Sequence, residues 1–230
     1  MTTTWQSIPY STALKYAERY QVTLLPVIGK EVVSDPNDQR HWQHWFDKPL
    51  EDMRWDSGTG YAILCGPGNY RCIDIDGVTP ETRQVFLQKL LALLELPSEY
   101  EWVVQTCYGT HIWVRVPPFA EETYDVMKWN PDEEHKGFFK RIELRWQNSY
   151  ALVPPSLHPD GPTYRFLQGR FPDAAPLEVS FEQVEKALYA IGVYDNPICG
   201  GCYRPWEACI CVYDEPYDEP EYDGYVFEED

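Results

Sequence analysis

No stretch of this chain approaches the roughly 18 consecutive apolar residues that a membrane-spanning helix needs, so a helical membrane protein is excluded. The first residues, Met1-Thr2-Thr3-Thr4-Trp5, have neither a basic start nor an apolar stretch, and no secretory signal is read there. Cysteine occurs seven times, an odd number scattered along the chain. That argues against a secreted disulfide framework and makes a reducing cytoplasm the expected compartment. Positive charge is scarce: 19 Lys and Arg stand against 37 Asp and Glu, for a formal charge of −18. Such a balance speaks against non-specific clinging to phosphate backbones, although a local basic groove or bound metal ions override net charge at a site. Aromatic residues, by contrast, are abundant. With 9 Trp, 17 Tyr and 9 Phe in 230 residues, the chain can build a core without disulfides.

Charge and composition divide the chain in three. Residues 10–192 read as one mixed α and β domain, residues 193–211 as a Cys-rich appendage, and residues 212–230 as an acidic, aromatic tail. The tail holds nine acids and no Lys or Arg, which leaves −9 for everything before it. It reads either as solvated disorder or as a mimic of single-stranded DNA, with carboxylates for phosphates and Tyr rings for bases. In the appendage, Cys199, Cys202, Cys209 and Cys211 form a C-x2-C-x6-C-x-C pattern. Either they hold a structural Zn²⁺, for which Cys199-Gly200-Gly201-Cys202 is a good half-site, or they are free thiols.

Within the main domain, Ser11 is placed to cap a helix through Tyr20 with Leu14 and Ala17 inward, and Asp38 one that carries Trp42, Trp45 and Phe46. Tyr61–Cys65 and Arg71–Ile75 are expected strands split by Gly66-Pro67-Gly68-Asn69. Thr79-Pro80-Glu81 starts a helix to about Glu95 with Phe86, Leu90, Leu93 and Leu94 inward. Trp102–Cys107 and Ile112–Val116 suggest a hairpin whose connection is Tyr108-Gly109-Thr110-His111. Residues 117–137 read as a loop. Strands are expected at Phe138–Trp146, Tyr150–Val153 and Thr163–Leu167, and Ser180-Phe181-Glu182-Gln183 is a capping box.

Four elements carry chemistry. In Cys72-Ile73-Asp74-Ile75-Asp76-Gly77 the two acids alternate with apolar residues, so on a strand both face one way, roughly 6–7 Å apart. Carboxylates so placed either share hard divalent cations or form the acidic face of an ordinary strand. Ile142-Glu143-Leu144 presents a third acid in the same pattern, followed by Arg145. Three acids brought together would repel one another in metal-free protein, so removing one should leave stability unchanged or slightly raised. Thr110 and His111 offer hydrogen-bond donors to a phosphate, and Val153–Gly161 is a stiff loop that presents Ser156 and His158.

Taken in order, these pieces resemble the bifunctional DNA primase–polymerase family of the archaeo-eukaryotic primase superfamily. The resemblance runs from Ala13-Leu14-Lys15-Tyr16-Ala17 through Asp74, Asp76, His111 and Glu143-Leu144-Arg145 to Pro154-Pro155-Ser156-Leu157-His158-Pro159-Asp160-Gly161 and Tyr164. It implies an α+β catalytic core, a modified RNA-recognition-like antiparallel sheet flanked by helices. It further implies that Asp74, Asp76 and Glu143 are catalytic ligands of Mg²⁺ or Mn²⁺ and that His111 contacts nucleotide phosphates. Thr110, Arg145, Ser156 and His158 would supply further contacts to the nucleotide. The activity expected on this ground is template-dependent nucleotidyl transfer on single-stranded DNA from nucleoside triphosphates, stand-alone, with a separate helicase or replication protein. Two other readings stay open: a catalytically weak nucleic-acid- or partner-binding module of the same fold, and a metal-dependent nuclease.

Overall fold

The computed structural model describes residues 10–33, 43, 45, 49–53, 60–78, 80–118, 125–193 and 198–199. Helix α1 (Tyr10–Tyr20) leads into strands β1 (Leu24–Ile28), β2 (Glu31–Val32), β3 (Gly60–Cys65) and β4 (Tyr70–Asp76). Helix α2 (Pro80–Leu93) is followed by β5 (Val103–Gln105), β6 (Gly109–Arg115), β7 (Val126–Trp129), β8 (Arg141–Arg145), β9 (Ser149–Val153) and β10 (Arg165–Phe166). Helix α3 (Phe181–Ala190) and the short β11 (Ile198–Cys199) complete the order. The fold is α+β, with antiparallel pairing throughout two sheets, as the sequence led one to expect. One sheet has the order β2-β1-β3-β9, the other β10-β5-β6-β4-β8-β7-β11.

Two short connections place the site. Residues 66–69 and 146–148 each carry the chain from one sheet to the other, so β3 and β4, consecutive in sequence, do not pair. The first crossing depends on Gly66 and Gly68, both at positive φ, followed by Asn69 at φ 65°. Strand β4 therefore becomes the middle strand of the larger sheet, flanked by β6 and β8. Its apolar residues Cys72, Ile73 and Ile75 are almost fully buried, and Trp102, Trp113 and Leu144 lie in the same core.

Several local expectations are corrected. The inner face of α1 is Ala13, Tyr16 and Tyr20, not Leu14 and Ala17, which are only partly buried. The tyrosines can go inside because each hydroxyl finds a carbonyl: Tyr16 donates to Pro154 O and Tyr20 to Pro172 O, both at 2.6 Å. The span read as a loop contains β7, which pairs with β8 on one side and β11 on the other. Strand β6 starts at Gly109, so Thr110 and His111 lie in the strand rather than in the turn. In α2 the buried residues include Phe86, Leu87, Leu90 and Leu91, with Leu93 only partly so. The capping box of α3 forms in both directions, Gln183 N donating to Ser180 Oγ at 3.1 Å and Ser180 N to Gln183 Oε1 at 2.8 Å. Apart from Gln43, which is exposed, and Trp45, which is buried, the helix expected after Asp38 falls outside the described residues. So do Cys202, Cys209, Cys211 and the acidic tail, and with them the zinc expectation.

Candidate active site

Strand register builds the site. Asp74 on β4 stands opposite His111 on β6 and opposite Glu143 on β8, and Glu143 in turn stands opposite Lys128 on β7. Four polar side chains thus form one row across four neighbouring strands. The next row holds Asp76 opposite Arg141 and Gly109. Gly109 is what lets β6 close on β4 here. A Cβ at that position would come within 1.8 Å of the Ile75 carbonyl oxygen, so no larger residue could keep the register that sets His111 against Asp74.

The acids do not repel one another, because cations stand between them. Arg145 donates to Asp74 Oδ2 through Nη2 at 2.8 Å and Nε at 3.2 Å, and the same Nη2 lies 2.9 Å from Glu143 Oε2. Arg141 Nη2 donates to Asp76 Oδ2 at 2.8 Å, with its Nε 3.1 Å from Glu143 Oε1. Lys128 Nζ stands 3.6 Å from Glu143 Oε1. Each arginine bridges two carboxylates. The expectation that loss of one acid would spare or raise stability is therefore reversed.

Burial by itself would push the Asp74 carboxyl up. His111 and Arg145 beside it outweigh that and hold it well below the usual carboxylate range. For Arg145 burial works against the charge, but Asp74 and Glu143 raise it further still. The sign for stability follows from linkage. A carboxyl held low in the folded chain contributes fully above its unfolded value of about 3.9, and the contribution is lost as pH falls below that toward the folded value. Thermal unfolding followed from pH 6 to 3 should show a steeper acid loss in the wild type than in Asp74→Asn. Parallel curves would mean that Asp74 is not held by these cations.

His111 is the other wall of the row. Its Nδ1 lies 3.2 Å from the Leu152 carbonyl, which can only accept, so that nitrogen carries a hydrogen; its Nε2 faces Asp74 Oδ1 at 3.3 Å. Thr110 pairs with Ile75 and is buried, and its hydroxyl lacks a hydrogen-bond partner among the described residues. By strand alternation it lies on the face opposite His111. His158 does share the cleft with Asp74 and His111, and its ring lies 6.1 Å from that of Tyr164. Burial, with Lys30 nearby, pulls its imidazole below the usual value.

Ser156 plays a different part. It is fully buried, and its Oγ accepts from Tyr61 N at 2.8 Å while donating toward Tyr61 O and Val153 O. Gly60 makes room for it, since a Cβ there would meet Ser156 Oγ at 2.4 Å. The serine pins the loop after β9 onto β3. Ser156→Ala should cost about 1–2 kcal/mol by orphaning the Tyr61 amide, with the side chains of the Asp74 row left in place. Chemical denaturation checks this, and an unfolding free energy equal to that of the wild type would show that the serine does not pin the loop.

Asp74, Asp76, His111, Arg141, Arg145 and His158 line a cleft of about 400 Å³ between the two sheets, within the range of small-molecule sites. Asp74, Asp76, Arg141 and Arg145 come from the larger sheet, Tyr150 and Leu152 from β9, and Lys30 from the β1–β2 turn. Sequence reading missed Arg141, Lys128 and Lys30. For Arg141 the signal was present: Arg141-Ile142-Glu143-Leu144-Arg145 alternates charge and apolar residue, so all three charges share a face. Lys128 was hidden with its strand.

Comparison with known proteins decides the family. The profile of the bifunctional DNA primase/polymerase N-terminal domain matches residues 13–178, which is most of the chain and all of the site. The chain belongs to the bifunctional DNA primase/polymerase family. No curated protein matches it significantly. Membership in the primase/polymerase family brings nucleotidyl transfer as the general chemistry, DNA and nucleotides as the substrate classes, and divalent metals as the usual helpers. Asp74, Asp76 and Glu143 fit such an ion by donor type, being three oxygen donors on one sheet face. Their oxygens do not all come within 4.8 Å of one another, because the two arginines bridge them.

Proposed function

We propose that this cleft joins nucleotides on a single-stranded DNA template, with Asp74, Asp76 and Glu143 as the ligands of Mg²⁺ or Mn²⁺. The observation that carries the reading is the pairing of carboxylates and arginines on one cleft floor, Asp74 and Asp76 beside Arg141 and Arg145. A divalent ion there would lower the pKa of a primer 3′-hydroxyl and offset the charge of the triphosphate. Arg141 and Arg145 need a new anionic partner once the carboxylates serve as ligands, and the phosphates supply one. Together with Lys30 they make a locally basic cleft in a chain of charge −18, which reconciles the acidic composition with an anionic substrate. The seven-stranded sheet with α2 and α3 is read as the modified RNA-recognition-like core. We place its work in the cytoplasm, with a separate helicase or replication protein to open duplex DNA.

A primer-synthesis assay with labelled nucleotides, a single-stranded template and Mn²⁺ tests this. Elongated products support it. Shortened template would favour a nuclease, and template binding without turnover a non-catalytic module. Within the same assay, His111→Ala should weaken apparent nucleotide affinity about 10- to 100-fold, as expected for a charge-assisted contact worth about 1.5–3 kcal/mol. Template affinity should move less than about twofold, since template contacts spread over many groups. The opposite pattern would remove His111 from the nucleotide site.

A further inference from the structure

A second cluster of ligand-type side chains stands at one end of the cleft, away from the Asp74 row. Cys107 lies in the turn between β5 and β6, and His158 and Asp160 in the loop after β9, some fifty residues on in sequence. One donor atom from each of the three lies within 4.8 Å of the others. Burial differs along the set: Cys107 is half-buried, His158 is 3% exposed and Asp160 is at the surface. The His158 Nδ1 atom faces the Asp160 carboxylate, 3.4 Å from its Oδ2, and accepts from the Asp160 amide at 3.1 Å, an amide that a bound ion would replace; the buried Nε2 has no hydrogen-bond partner among the described residues. Asp160 is already oriented from outside, because the Tyr108 hydroxyl donates to its Oδ2 at 2.8 Å. Ligating carboxylates commonly have an outer hydrogen bond of this kind.

We propose that Cys107, His158 and Asp160 form a transition-metal site, with Zn²⁺ as its occupant, that ties the β5–β6 turn to the loop after β9. The donor set decides the class of ion. Thiolate and imidazole select a borderline-soft metal over Mg²⁺ or Ca²⁺, which prefer oxygen alone. Zn²⁺ held by three protein ligands keeps a fourth position open for water or a phosphate oxygen. With Zn–S near 2.3 Å and Zn–N and Zn–O near 2.0–2.2 Å, tetrahedral closure needs the donors roughly 3–4 Å apart, a spacing that His158 Nδ1 and Asp160 Oδ2 already have at 3.4 Å. Cys107 and His158 both line the cleft. Metal binding would therefore hold together the cleft wall near Tyr108 and Tyr164, whose rings lie 5.5 and 6.1 Å from that of His158. The site shares the cleft with the carboxylate row but uses none of its residues, and its occupancy is read out separately from the activity assigned to that row.

Cysteine alkylation mapped by peptide mass spectrometry tests this on the unmodified full chain. Cys107 is the reactive reporter, and the fully buried Cys65 and Cys72 are internal controls. With Zn²⁺ at about ten times its dissociation constant, the free thiol falls to about one part in eleven, so Cys107 alkylation should slow about tenfold. Mg²⁺ in excess should give no protection. Peptide-level readout keeps Cys199, Cys202, Cys209 and Cys211 separate, so zinc bound there cannot be mistaken for this site. Asp160→Asn, at an exposed position, and His158→Gln should each reduce the protection of Cys107. Equal alkylation rates with and without Zn²⁺ overturn the proposal, and so does protection that both variants leave intact.

Discussion

Replacement of Asp74 by Ala is expected to lower nucleotide incorporation by about a thousandfold or more. Asp74 occupies the middle strand of the larger sheet, at the crossing of every relevant contact: His111 on one side, Arg145 and the Glu143 strand on the other. A metal ligand in a site that stabilises transferring phosphate supplies several kcal/mol, and each 1.4 kcal/mol is a factor of ten in rate. The variant should also be less stable, because among the described residues Arg145 keeps only Glu143 as a close anionic partner while remaining partly buried. The loss is about 1–3 kcal/mol. Single-turnover incorporation and thermal unfolding on the same preparation would show both effects. Incorporation within tenfold of wild type, in a folded variant, would take Asp74 out of the metal site.

Arg145→Met removes the bridging cation and leaves both carboxylates in place. The side chains of Asp74 and Glu143 are only 10% and 7% exposed, so their charges would then be stranded. Removing one partner of a buried pair typically costs about 3–5 kcal/mol. Asp74 retains His111, and Glu143 retains Arg141 and Lys128, which places the loss near the lower end, about 3 kcal/mol. For a domain of this size that is a fall in Tm of about 10 °C. Mn²⁺ should recover more of this in the variant than in the wild type, since a bound ion stabilises whichever form it prefers. Calorimetry with and without Mn²⁺ checks this; a Tm within about 2 °C of wild type would show that Arg145 does not bridge the acids in solution.

Much of this site was legible in the residues themselves. The alternation of acid and apolar residue around Asp74, Asp76 and Glu143 required strands with the acids on one face, because side chains alternate along any strand. The capping box at Ser180 announced a helix start, a local condition on the backbone, whereas Gly109, read as part of a turn, proved to be the point of close approach between β6 and β4. Composition excluded a membrane-spanning helix and disclosed the excess of acid. What adjacency does not carry was left to the tertiary structure. Which strands neighbour β4 depends on two sheet-to-sheet crossings, and a one-residue change of register would have put Glu143 out of reach of Asp74. The role of Ser156 was decided by Tyr61, which lies 95 residues away in sequence. The roles of the arginines were decided in the same way. Arg145 is 71 residues from Asp74 and Arg141 is 65 from Asp76, and only folding could show that the acids meet as neutralised pairs rather than as bare, repelling charges. Charge pairing across strands is a property of register, and register is set by the whole sheet.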